Sequence, residues 1–151
     1  MKELLRILSK CIVVIMLLSG CTIQFVSKYD DQTDTNVTAL QKKFDTYFIN
    51  LKSEAYPACS YSNHISFYND AKIQLSGIQV RAKAIPLNDI TIKQLESLSL
   101  AISDLEKSQQ LKDKESSCIN PLLIDTDQIM FNSIFTAILK LEIAKKRGEA
   151  K

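Results

Sequence analysis

One stretch decides the fold class: residues 131–143, FNSIFTAILKLEI. Its apolar side chains recur at steps of three and four, the spacing of one face of an α-helix. They are Phe131, Ile134, Phe135, Ile138, Leu139, Leu141 and Ile143. This apolar surface is broad, so we expect the helix to be the most buried of the chain. Asn120-Pro121 suits a cap and a first helical position, Asp125 offers a second start, and Gly148 suits the residue after the helix.

Three earlier segments show the same helical pattern, at residues 34–55, 60–84 and 91–112. Their apolar stripes are, in order, Val37, Leu40, Phe44, Tyr47, Phe48 and Leu51; Ile65, Tyr68, Leu75, Ile78, Ala82 and Ile85; and Leu95, Leu98, Ile102 and Leu105. Pro57 and Pro86 follow the first two segments and disfavour helix in the residues before them. Thr91 has the capping-box spacing for the third segment, with Asp89 as the alternative cap.

The connections between these segments are short, and the chain has only three glycines, three prolines and no tryptophan. Such a composition favours long helices over turn-rich folds. Four amphipathic helices joined by short connections predict an all-α, up-down-up-down four-helix bundle. We expect one domain over residues 34–151.

A different signal stands at the start of the chain. Lys2, Arg6 and Lys10 precede an apolar run, residues 11–18, which ends in the motif Leu18-Ser19-Gly20-Cys21. The run is about 12 Å long as a helix, too short for a bilayer core of roughly 30 Å. A basic front, a short apolar core and small residues before a cysteine resemble the signal peptide of bacterial lipoproteins.

That resemblance implies that residues 1–20 are removed and that Cys21 becomes an acylated first residue, with palmitate or a similar chain. Residues 21–33 would then be a tether. Enterobacterial lipoproteins with Asp after the cysteine stay in the inner membrane, whereas this chain has Thr22. We therefore expect the periplasmic face of the outer membrane of a Gram-negative bacterium. An ordinary secretory signal peptide with an incidental cysteine is the alternative.

The end of the chain carries a second resemblance. Residues 135–141, followed by Lys145-Lys146-Arg147-Gly148, are similar to the end of small helical lipoproteins of Gram-negative bacteria. The likeness covers the second to fourth helices. It implies no known activity.

Charge argues against one class of partner. The chain has 19 basic and 17 acidic residues, and without the three basic and one acidic residue of positions 1–20 the two totals become equal. Nucleic-acid binding proteins present a net basic face. We therefore expect no nucleic-acid partner.

Cysteine usage predicts a disulfide. Cys11 lies in the signal peptide and Cys21 is the lipidation site, which leaves Cys59 and Cys118. Two cysteines in an exported domain most often pair. A zinc site would need three or four ligands, and only His64 is near in sequence. The bundle topology places the first and third connections at one end, so it predicts the same Cys59–Cys118 pair.

Motifs for catalysis are missing from the sequence. His64 is the only histidine, and we interpret it as a surface or packing residue although Ser60, Ser62 and Ser66 are near it. There is no Gly-x-Ser-x-Gly turn, no phosphate-binding glycine loop and no calcium loop. We predict a non-enzymatic protein with no catalytic residues, no cofactor and no metal.

The leading functional hypothesis is a protein-binding or structural module of the cell envelope. Its partners would be the lipid bilayer, through acylated Cys21, and an envelope protein. The alternative is an inhibitor or immunity-type protein that neutralises an envelope enzyme or toxin.

The topology also predicts an orientation. The last helix returns to the lipid-anchored end, which gives a membrane-proximal basic cluster: Lys145, Lys146, Arg147 and Lys151. Compensation of the helix dipole is an equal explanation for these residues. At the opposite end, aromatic and polar side chains are candidate partner contacts: Tyr56, Tyr61 and His64.

Overall fold

The computed structural model describes residues 26–149. Within this range the chain forms four helices: α1 (Asp31–Ser53), α2 (Tyr61–Ala84), α3 (Asp89–Lys114) and α4 (Pro121–Glu149). Both α1 and α3 pack against α2 and α4, so the helices form a closed ring. The predicted all-α four-helix bundle is confirmed. The predicted signal peptide and Cys21 lie outside the described residues.

The apolar stripe of α1 forms the centre of the core. All six residues predicted for this stripe are buried, from Val37 to Leu51. Phe44 stacks on Phe131 of α4 with ring centroids 4.7 Å apart, and the edge of Phe67 from α2 contacts the same ring. Burying a side chain of this size contributes about 2 kcal/mol, so this stripe is a main source of stability.

α1 begins earlier than predicted, at Asp31 rather than Asp34 or Thr35. Asp30 is the N-cap, and its carboxylate accepts a hydrogen bond from the backbone N–H of Thr33 at 3.0 Å. Residues 26–30, which we call the strap, lie against the bundle, where Ser27 forms hydrogen bonds with Leu87 and Asn88. The prediction of a tether over residues 21–33 is therefore wrong for its last part, because residues 26–33 belong to the domain.

α4 is the most apolar helix, but the prediction that it is the most buried is wrong. Six of its 29 residues are buried, against seven of 23 in α1, and Ile129 and Ile143 on its other side are 69% and 44% exposed. Its inward stripe continues from Phe131 through Phe135 and Ile138 to two charged residues, Glu142 and Lys145. By length and composition α4 meets the criterion for a membrane-spanning helix, which core helices of bundles also meet.

α2 and α3 differ from expectation at their ends. Ile65, predicted for the α2 stripe, is 40% exposed. Thr91 is not the cap of α3, because the helix begins at Asp89 and Thr91 is fully buried inside it. Two connection residues have a left-handed backbone, Leu87 with φ 60° and Ser116 with φ 52°. Each costs about 1 kcal/mol relative to a glycine.

Candidate functional site

The first and third connections meet at one end of the bundle, as the topology predicted. Cys59, just before α2, and Cys118, just before α4, form a disulfide with Cα atoms 5.7 Å apart. We call the surroundings of this bond, residues 54–64 and 106–120, the disulfide end. Since all three predicted contact residues lie here, this end is the first place to examine for a binding surface.

A neutral hydrogen-bond network lies beneath the disulfide end. The phenols of Tyr47 and Tyr68 donate to Gln109 Oε1 at 2.7 and 2.6 Å, and Gln109 Nε2 donates to the Cys59 carbonyl at 2.8 Å. Burial raises the pKa of both phenols above their ordinary value, so they stay protonated as donors. Gln109 thus connects three elements of the fold, a role the sequence pattern did not suggest.

Tyr61 belongs to a second internal network rather than to the open surface. Its hydroxyl donates to Glu106 Oε1 at 3.0 Å, and Lys72 forms an ion pair with the same carboxylate. The side chain is half-buried and packs against the core. Of the predicted contacts, Tyr61 is therefore tied to the bundle, whereas Tyr56 is 45% exposed.

His64 lies between the surface and the core. Its Nε2 atom is 2.9 Å from Glu54 Oε2 and 3.2 Å from the Ala58 carbonyl oxygen. A single hydrogen on Nε2 serves only one of these acceptors at a time. Glu54 Oε2 is accordingly buried without a hydrogen-bond partner. Only 12% of the His64 side chain is exposed. The ring therefore positions Glu54 and offers little surface to a partner protein.

A groove of about 470 Å³ opens between α1 and α2 beside this pair. It is lined by Lys43, Thr46, Tyr47, Asn50, Glu54, His64 and Phe67. Tyr47 and Phe67 stack face to face in its wall with centroids 3.7 Å apart. Lys43 forms an ion pair with Asp70, so its charge is already balanced. The groove offers aromatic, amide and carboxylate groups in one concave surface.

The geometry around His64 does not resemble a nucleophile with its base. The hydroxyls of Ser60 and Ser62 contact each other at 2.8 Å, and Asn63 donates to Ser60. Within residues 26–149, neither serine hydroxyl forms a hydrogen bond with the imidazole. The same part of the chain holds no group of three or more His, Cys, Asp or Glu side chains that suits a metal ion.

At the opposite end of the bundle, the structure differs from the predicted basic cluster. We call this end the strap end; it contains the strap, the connection at residues 85–88 and the C-terminus of α4. Lys145 is not on its surface, because only 3% of its side chain is exposed. Its ammonium group donates to Glu142 Oε1 at 2.6 Å and to Asn88 and Thr91 at 2.8 Å each. All three of its donors are used inside the protein.

The other members of that cluster are placed differently. Lys146 lies over the ring of Tyr29, with Nζ 4.9 Å from the centroid, and Arg147 is exposed. Lys151, like Cys21, lies outside the described residues. Glu149, which accepts a hydrogen bond from the Tyr29 backbone at 2.7 Å, adds an opposing charge. The described part of the cluster is therefore not a concentrated positive patch.

No protein-family model matches this sequence, and no curated protein or solved structure shows significant similarity to it.

Proposed function

We propose that this chain is a lipid-anchored lipoprotein of the bacterial envelope that binds a partner protein with its disulfide end. The anchor is acylated Cys21, and the membrane is the periplasmic face of the outer membrane. In this proposal the bundle is a binding or structural module and performs no reaction of its own.

The separation of the two ends is the observation that carries the proposal. The strap leads toward Cys21 at one end, and the groove beside Glu54 lies at the other. α1 alone has 23 residues, which corresponds to about 35 Å of helix between the ends. A periplasmic partner could therefore reach the groove of an upright bundle without meeting the bilayer.

The chemistry of the groove suits a protein partner. Half-buried Phe67 provides aromatic surface, Asn50 is exposed, and Tyr56, two residues beyond Glu54, is 45% exposed. Interfaces are rich in aromatic side chains with polar tips. The Glu54 side chain, 26% exposed, adds a carboxylate to the groove. A lysine, arginine or backbone N–H of the partner would donate a hydrogen bond to this carboxylate.

Site-specific crosslinking tests the surface. A photo-crosslinking amino acid at Tyr56 should capture the partner in the native envelope. The same group at Ile73, which is 70% exposed on α2, is the matched control and should capture little. Equal capture at both positions, or none at Tyr56, would contradict the proposal. An enzyme or toxin that is captured and loses activity would establish the inhibitor alternative.

Two further measurements complete the test. Glu54→Gln should weaken binding of the purified partner by about tenfold, since it replaces a charged acceptor by a neutral one of the same shape. Mass spectrometry of the membrane fraction should detect an acylated Cys21. A Cys21→Ala variant that stays in the same membrane-bound form would overturn the anchor.

A further inference from the structure

The connection between α2 and α3 presents two apolar side chains to solvent at the strap end. Leu87 is 53% exposed and Ile90, in the first turn of α3, is 50% exposed. Isolated exposed apolar residues are common. This pair is distinctive because of its position relative to the chain that arrives from Cys21.

Hydrogen bonds fix that position. The backbone N–H of Ser27 donates to the Leu87 carbonyl at 2.8 Å, and the Ser27 hydroxyl donates to Asn88 Oδ1 at 2.8 Å. Asn88 is buried and also binds Lys145. The strap is therefore attached directly to the connection that carries Leu87.

Only six residue steps separate Cys21 from Ser27. An extended chain advances at most about 3.5 Å per residue, so Leu87 lies within roughly 25 Å of Cys21. The disulfide end is a further helix length away. An acylated Cys21 would keep the α2–α3 connection near the headgroups of the bilayer.

The backbone of Leu87 adds a second unusual feature. Its φ of 60° is a conformation that glycine adopts without strain and a branched side chain does not. A glycine would also remove the exposed apolar side chain. A leucine here is unfavourable on both counts in water, and such strain often marks a functional position.

The strap end carries little net charge that could attract it to lipid headgroups. Exposed basic residues at the strap end are Lys28, Arg81, Lys83, Lys146 and Arg147, and exposed acidic residues are Asp31, Asp89 and Glu149; the charge of Arg81 is balanced by its ion pair with Asp30. The two sets nearly cancel. Attraction to anionic headgroups is therefore weak, and apolar contact has to supply the interaction.

We propose that Leu87 and Ile90 insert into the interfacial layer of the lipid bilayer that holds Cys21, so that the bundle rests on its strap end. The inference depends on the lipid anchor of the proposed function. It adds a protein surface that contacts the membrane and fixes the orientation of the disulfide end.

Single tryptophans test this contact, because the chain has none of its own. The mature lipidated protein is reconstituted in vesicles of phosphatidylcholine whose acyl chains carry bromine, a quencher of tryptophan fluorescence. Leu87→Trp and, separately, Ile90→Trp should lose roughly half of their fluorescence, since interfacial side chains reach about 5–10 Å into the bilayer. Adding anionic lipid should change this quenching little.

Leu111→Trp is the matched control. Leu111 is 58% exposed on the same helix, about 30 Å from Ile90. Its fluorescence should stay unquenched. Equal quenching at all three positions, or none at Leu87 and Ile90 in a protein shown by mass to be lipidated, would overturn the inference alone. Shielding of Leu87→Trp from aqueous iodide without quenching by bromine would mean that a second copy covers the loop. A Cys21 without lipid would overturn the proposed function and the inference together.

Discussion

The two ends of the bundle bury polar groups by different means. At the strap end, Lys145 and Glu142 form a buried ion pair to which Asn88 and Thr91 add hydrogen bonds, and Glu142 Oε2 has no hydrogen-bond partner among the described residues. At the disulfide end, neutral phenols share one amide, and a covalent bond closes the ring of helices. A buried ion pair seldom adds net stability but penalises every incomplete arrangement. The ion pair at the strap end therefore favours one packing of the four helices, and the disulfide at the other end holds that packing in place.

The largest effect is expected from the disulfide. Replacing Cys59 and Cys118 together by alanine frees a loop of 59 residues, which should lower the free energy of unfolding by about 4 kcal/mol. Urea unfolding of the oxidised parent and the double variant measures this difference. The reduced parent should match the variant. A difference below about 1 kcal/mol would show that the neutral network alone secures this end.

The next largest effect should come from the ion pair. Lys145→Met leaves Glu142 buried without a cation and should cost about 3 kcal/mol in urea unfolding. The value is at the lower end for such pairs because Thr91 still donates to the carboxylate. Adding Glu142→Leu removes the orphaned charge and should restore most of the loss. Lys146→Met, an exposed neighbour, is the control and should change little; a similar loss there would disprove the role of the pair.

A smaller effect is expected at the neutral network. Gln109→Leu keeps the size of the side chain but leaves the Cys59 carbonyl without its donor and the two phenols, whose oxygens are 3.0 Å apart, with only each other as partners. We expect a loss of about 2 kcal/mol by urea unfolding. Gln110→Leu, next to it and only half-buried, should be close to neutral. If the two variants behaved alike, Gln109 would be a packing residue rather than a connector.

The smallest effect concerns pH at the strap end. Arg81 donates to both oxygens of Asp30, and this hydrogen bonding lowers the pKa of the carboxyl to about 2. A depressed folded pKa contributes stability above the unfolded value of 3.8, and this stability is lost as pH falls toward 2. Solvent screening limits it to less than about 1 kcal/mol. Arg81→Gln should therefore unfold more easily at pH 6 than the parent, and the difference should shrink near pH 3.

The fold could be predicted from the sequence wherever the buried residues are the apolar ones. The whole α1 stripe is buried as its spacing indicated, and α3 buries Leu95, Leu98, Ile102 and Leu105. The same rule failed in α4. Glu142 and Lys145 continue the buried stripe at steps of four and three, but polar residues at such positions are normally assigned to the surface. Their burial becomes intelligible only with Asn88 and Thr91, more than 50 residues away.

The candidate site was predictable as a location but not as a set of contacts. Topology alone brought Tyr56, Tyr61 and His64 to one end. Whether each ring faces water depends on partners distant in sequence, such as Glu106 for Tyr61. The groove itself arises where Tyr47 and Phe67 stack, and a core stripe gives no sign of it.

The strap also has a consequence for the order in which the parts of the chain reach their native contacts. It is synthesised before the four helices, yet its contacts lie with residues that follow much later, as far away as Glu149, 120 positions on. Ser27 needs Leu87 and Asn88, whereas Tyr29 must wait until nearly the whole chain has been made. A chain cut short before Lys145 would lack the ammonium group at the centre of this junction. Closure of the strap is therefore a late step in the folding of this domain.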